Sequence, residues 1–143
     1  MSHQPLAGVS SADDAEEVQT LLGRHSEKIV LAINGHTHVD QLVEEQGVRY
    51  LHINSASYKW MGGKYQHASY SEDIHKAHKS IRYTCPYKDS VFARLVFDPA
   101  KREIRVEGRQ SQWVGPSPQE LGKPDPVEGV VIPGVRSRKI TVS

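Results

Sequence analysis

The apolar positions near the start of the chain recur at helical spacing: Val18, Leu21 and Leu22 share one face of a helix. Ahead of them, Ser10-Ser11-Ala12-Asp13-Asp14 supplies a serine cap and acids for the first turn. A helix is therefore predicted to about Leu22, with Gly23 ending it. Residues 28–33 then form an almost unbroken apolar run. A run without polar alternation predicts a strand covered on both faces and paired on both edges, as in a layered α/β sheet. Asn34-Gly35-His36-Thr37-His38 follows as a turn at that strand's C-terminal end, where α/β sheets tend to build their sites.

Two further β-like runs, residues 39–45 and 48–54, flank Gln46-Gly47, which predicts a tight hairpin. Residues 55–90 are irregular and rich in tyrosine, with Ser71 placed to cap a short helix reaching about His78. A second hairpin is predicted from residues 91–97, a turn at Asp98-Pro99-Ala100-Lys101, and a strand over 103–108. Ser117-Pro118-Gln119-Glu120-Leu121 fits one helical turn. Residues 122–143 are rich in Pro and Gly and read as a mostly extended tail, leaving residues 1–121 as the structured part.

Composition narrows the classes. The chain has 143 residues, enough for one domain with a modest core. Eighteen basic residues against 17 acidic ones give a net charge of +1, so no bulk field draws the chain to nucleic acid or to an anionic membrane. A single cysteine, Cys85, excludes an internal disulfide framework and any Cys₄ or Cys₂His₂ zinc module. No apolar run approaches the length of a membrane span, and the N-terminal residues lack the basic and apolar regions of a secretory signal. Localisation is otherwise open.

The histidines, eight in all, carry the candidate chemistry. His36 and His38 stand at i and i+2 in Gly35-His36-Thr37-His38, and two imidazoles so spaced can face one small volume if the backbone turns there. Gly35 is the residue expected to supply that turn. Imidazole is the commonest protein metal ligand. A cupin barrel also uses His-x-His, but it follows the pair with Glu after three or four residues, whereas five intervene here before Glu44. His3 lies in a loop stiffened by Pro5 and gains meaning only beside the later pair. The remaining histidines have ordinary readings: His25 on the surface, His52 packed or solvated within a strand, and His67, His75 and His78 in a polar region where the i,i+3 spacing of His75 and His78 allows a weak adventitious metal site. Tyr58, Trp60 and Met61-Gly62-Gly63 could line a substrate mouth, with packing the commoner role.

His3-Gln4-Pro5, a helix, a buried strand and then Gly35-His36-Thr37-His38 resemble the C-terminal half of the calcineurin-like metallophosphoesterases. Ile53-Asn54-Ser55-Ala56-Ser57-Tyr58 and Tyr87-Lys88-Asp89-Ser90-Val91-Phe92 are similar to the segments that follow in bacterial members. That family carries five ordered blocks: Asp-x-His, Gly-Asp-x-x-Asp, Gly-Asn-His-Glu/Asp, a lone His, and Gly-His-x-His. Only the last two have counterparts here, and the sequence contains no Gly-Asp dipeptide.

The resemblance implies an α/β fold: the C-terminal half of a four-layer α-β-β-α sandwich, rich in β-hairpins. It implies a dinuclear centre of divalent transition metals (Mn, Fe or Zn) that clamps a phosphoester while activated water attacks phosphorus in line. His3 and His36 would share one ion and His38 would bind its neighbour. The bridging carboxylate belongs to the absent blocks, so the chain reads as part of a phosphoester hydrolase, with partial metal occupancy at most and no turnover by itself. Asp40 is the one nearby acid considered as a replacement. The implied partners are a phosphoester substrate and either a separate N-terminal half or a second copy of the chain. The alternative function is a non-catalytic remnant, or a metal-binding partner module.

Overall fold

A computed structural model describes residues 1–142 as a mixed α/β fold, made mostly of short strands in small sheets with few helices. The first sheet has the order β1-β3-β2, from β1 (Ala32–Asn34), β2 (Gln41–Glu45) and β3 (Val48–His52). β2 and β3 form the predicted hairpin. Gln46 and Gly47 both take positive φ, 51° and 76°, as a two-residue turn matched to strand twist requires. β1 pairs β3 in parallel, with Asn34 beside His52 at the C-terminal ends of both.

The apolar run at 28–33 does not form the expected strand. Ser26–Lys28 is a 3₁₀ turn and β1 begins only at Ala32. None of Ile29, Val30, Leu31 or Ile33 is fully buried, and Val30 is 43% exposed. Both edges of β1 are nevertheless bonded. On the side away from β3, Ser2 N–H donates to Ile33 O at 3.1 Å and Gly35 N–H donates to His3 O at 3.1 Å. Residues 2–3 thus lie along β1 in the manner of a strand, and this brings His3 to the end of the sheet.

Helix α1 (Ala15–Gly23) packs on one face of this sheet with the loop before it. Ala7, Val48 and Tyr50 are buried there, with Leu22, Ile29 and Ala32 against them. Asp14 occupies the cap position, later than the serines expected to cap, and makes no side-chain cap bond. Leu21 points outward, 58% exposed, so the buried stripe is narrower than predicted. Gly23 is the last helical residue, and a Cβ there would stand 2.9 Å from the Gln46 side chain.

The opposite face packs on a second antiparallel sheet of order β6-β7-β8: β6 (Ala93–Asp98), β7 (Glu103–Gly108) and β8 (Arg138–Thr141). Leu51 meets Ile104, Val106, Val135 and Ile140 in the largest apolar cluster. At about 1.5–3 kcal/mol for each fully buried aliphatic side chain, this layer carries much of the stability. β6 and β7 are the second predicted hairpin. β8 lies in residues 122–143, expected to be an extended tail; Val130, Val131, Val135 and Ile140 are buried there instead.

Asn54 anchors that docking. Its Nδ2 donates to Ile132 O at 2.7 Å and Gly134 O at 3.1 Å, while its Oδ1 accepts from Ser55 N–H at 2.8 Å and Tyr87 O–H at 2.9 Å. A buried amide needs such partners.

Between the two sheets in sequence, β4 (Tyr58–Trp60) pairs β5 (Thr84–Pro86), enclosing helix α2 (Glu72–Ala77) with Ser71 at its cap position. Ser117 opens one helical turn as expected. Its Oγ accepts from Glu120 N–H at 3.2 Å and its own N–H donates to Glu120 Oε2 at 2.8 Å, a reciprocal capping box. No helix among the described residues is long and apolar enough to cross a membrane.

Candidate functional site

The histidine turn leaves β1 at Gly35. Thr37 N–H donates to Gly35 O at 2.8 Å, closing a three-residue turn centred on His36, whose φ is 66°. His38 is also left-handed, at φ 51°. Left-handed backbone costs an L-residue roughly 1–2 kcal/mol, and γ-turns of positive φ are rare. The unusual backbone thus falls on the two histidines and not on Gly35, whose φ is not positive and where a Cβ would meet only His3 O, 3.9 Å away. Strain of this kind persists where surrounding structure over-determines it, and it concentrates at functional sites.

His3 and His36 come together. His36 Nδ1 lies 3.1 Å from His3 Nε2, with ring centroids 4.9 Å apart and planes at 75°. Both side chains are exposed. As free imidazoles, one ring donates to the other. The same spacing fits a metal: at a metal–nitrogen length of about 2.0–2.1 Å, two ligands on one ion stand about 2.9–3.4 Å apart, from octahedral to tetrahedral geometry. The pair therefore fits two positions of one coordination sphere, His36 through Nδ1 and His3 through Nε2.

His38 is engaged elsewhere. Trp60 N–H donates to its Nδ1 at 3.3 Å and its ring meets Tyr58 edge-on at 5.0 Å. With Nδ1 accepting, the neutral ring carries its proton on Nε2 and presents no free lone pair for a metal. Burial is the main reason its pKa is lowered, and the Lys59 ammonium adds to this. Among the described residues, no cluster of three His, Cys, Asp or Glu side chains is arranged to hold an ion.

Asp40, considered as a replacement carboxylate, has another role. It is 1% exposed, and its Oδ2 accepts from Arg138 Nη2 at 2.5 Å and Arg136 Nη1 at 3.1 Å. It ties the histidine turn to the C-terminal segment. His52, whose face the sequence left open, is buried, its Nε2 2.8 Å from Ala7 O; burial lowers its pKa. His75 and His78 do not pair as a site: His75 is buried, its Nε2 accepting from Ser69 and Tyr70 N–H at 3.2 Å each, while His78 is exposed.

A residue the sequence did not flag stands closest to the turn. Lys59 is 9% exposed on β4 and its Nζ donates to Thr37 O at 2.6 Å, holding the turn from below. Burial and the neighbouring Lys123 lower its pKa to about 8. Both lysines line a cleft of about 380 Å³ with His36 and Trp60. The only sequence signal for Lys59 was its phase: Tyr58 and Trp60 alternate with it in a short strand, so the lysine takes the inward position. Comparison with family models, with curated proteins and with solved structures finds no match to the chain in any of the three.

Proposed function

We propose that the chain supplies part of the dinuclear metal centre of a phosphoester hydrolase of the calcineurin-like metallophosphoesterase type. The observation that carries this reading is the 3.1 Å approach of His36 to His3, from segments 33 residues apart, at the spacing of two ligands on one ion. The strained turn after β1 supports it, as does the layering of α1, the β1-β3-β2 sheet and the β6-β7-β8 sheet, which suits one half of an α-β-β-α sandwich. In this reading His3 and His36 hold one ion, and His38 reaches the neighbouring position once its ring gives up the Trp60 amide. Such ions would polarise a phosphoester and activate water. The chain's own residues fix the first ion and, through Lys59, hold the turn that carries its ligands. Carboxylates from a separate polypeptide segment complete the centre.

The second reading is a non-catalytic metal-binding partner module. The bond from the Trp60 amide to His38 favours it, as does the commitment of Asp40 to two arginines. The reading frame preceding Met1 separates the two. In-frame Asp-x-His and Gly-Asp-x-x-Asp blocks, with Mn²⁺-dependent hydrolysis by the joined polypeptide that His36→Ala abolishes, support the hydrolase. A joined polypeptide that binds metal without turnover supports the module.

A further inference from the structure

We propose that Lys59 and Lys123 form an anion-binding wall beside His36, which takes the phosphate of an organic phosphate whose flat apolar part rests on Trp60. The inference deepens the phosphoester reading and rests on it for the identity of the anion.

Lys59 is a buried ammonium with no carboxylate at ion-pair distance among the described residues. Its one hydrogen-bond partner is Thr37 O at 2.6 Å, which leaves two N–H donors over. Lys123 Nζ donates to Met61 O at 2.9 Å and Trp60 O at 3.2 Å, and sits 5.5 Å from the centre of the Tyr65 ring. Neither lysine forms an ion pair with a carboxylate among the described residues. Two like charges facing one cleft, one of them buried, cost stability unless an anion joins them. Asp125, the acid in the cleft, offsets the Lys59 charge only in part and without an ion pair, because its oxygens accept from Gln119 Nε2 at 2.6 Å and Gly129 N–H at 3.0 Å and are held by their own loop.

The apolar half of the ligand follows from Trp60. Trp60 alternates with Lys59 along β4 and lines the cleft at its rim, 49% exposed as a residue, with its ring stacked on Tyr83 at 5.9 Å and 29°. The carbonyls of Trp60 and Met61 also hold Lys123, so the aromatic surface and the cation are set by one strand end. A volume of about 380 Å³ suits a small organic phosphate.

Calorimetric titration of the intact chain with inorganic phosphate and with phenyl phosphate, in EDTA, tests this. Both are expected to bind, phenyl phosphate tighter by about three- to tenfold. Lys59→Met and Lys123→Met should each weaken both by about tenfold or more. Trp60→Ala should remove the preference for phenyl phosphate alone. Lys123 is the less buried lysine, so its variant decides the matter if Lys59→Met fails to fold. Absence of saturable binding, or affinity unchanged in Lys123→Met, overturns the proposal, and equal affinity for the two ligands overturns the role of Trp60. EDTA keeps the outcomes separate. Phosphate binding by a chain whose His3 and His36 bind no metal sinks the hydrolase reading and leaves this subsite. Metal binding without phosphate binding does the reverse.

Discussion

Asp40 and Arg138, 98 residues apart in sequence, are joined by a 2.5 Å charged hydrogen bond whose carboxylate end is wholly buried. Arg136 adds a second contact to the same oxygen at 3.1 Å. Removing one partner of a buried pair strands the other, at about 3–5 kcal/mol. Asp40→Ala should therefore lower the urea midpoint sharply, while metal affinity of the fraction that remains folded stays within twofold. A large loss of metal affinity in folded Asp40→Ala would return this carboxylate to the site.

Asn54 makes a second long-range tie, and Tyr87 isolates one strand of it. Tyr87→Phe removes only the hydroxyl that donates to Asn54 Oδ1 at 2.9 Å. The expected loss is about 1–1.5 kcal/mol by denaturant unfolding. Asn54→Ala should cost more, since three further bonds go with it. Equal losses in the two variants would mean that the bonds to Ile132 and Gly134 contribute nothing to holding the C-terminal segment.

Lys59 gives stability a pH dependence of definite sign. Its pKa is about 8 folded, against an ordinary value of 10.5. Between these values the unfolded chain binds more protons at this group, so the Lys59 contribution to stability should rise as pH increases from about 8 to 10.5, by at most about 3 kcal/mol. Two buried acids act oppositely: burial pushes the Cys85 thiol up to about 11, so its contribution falls from about pH 9, and burial raises the Tyr87 phenol, whose contribution falls above pH 10. Urea midpoints across pH 7–9, below the range where Cys85 opposes the trend, should climb for the wild type and flatten for Lys59→Met. A slope that survives in Lys59→Met assigns it to other groups.

Much of the fold was legible where local chemistry and period agreed. The hairpins at Gln46-Gly47 and at 98–101 were marked by turn residues between alternating strands, and the histidine turn was placed correctly at the end of β1. The run at 28–33 was not legible, because uniform apolarity signals burial without saying what covers it. Here residues 2–3 cover one edge of β1, and Val30 is left open. The ties that Asp40 and Asn54 make to the C-terminal segment were not legible for another reason. Their partners in that segment lie 78–98 residues away, and no local pattern encodes such a contact. Docking of residues 130–141 was lost with them, since Pro and Gly there mark turns and the buried valines between them had no visible partner.

The exposed apolar groups carry a consequence for solubility. Val30 and Phe97, 43% and 56% exposed, flank a shallow apolar hollow of about 250 Å³ that also touches Ile104 and Val142. Contiguous surface of this kind favours association. Light scattering behind size exclusion should show self-association of the chain, relieved in Val30→Asp with Phe97→Asp. A monomeric wild type would mean that the bonded edge of β1 protects it sufficiently.

Without a bridging carboxylate, two ions cannot be held at clamp distance. The chain alone should show no metal-dependent hydrolysis of bis(p-nitrophenyl) phosphate above background. A rate that disappears in His36→Ala would show that the centre is complete without further residues.

Titration of the intact chain with Zn²⁺ and Co²⁺, read by calorimetry and by the visible spectrum of Co²⁺, tests the pairing of His3 with His36 most directly. About one ion should bind per chain at micromolar affinity, about 8 kcal/mol. His3→Ala and His36→Ala should each weaken binding at least tenfold, and His38→Ala should weaken it less. Binding left unchanged in the His3→Ala, His36→Ala double variant would contradict the pairing.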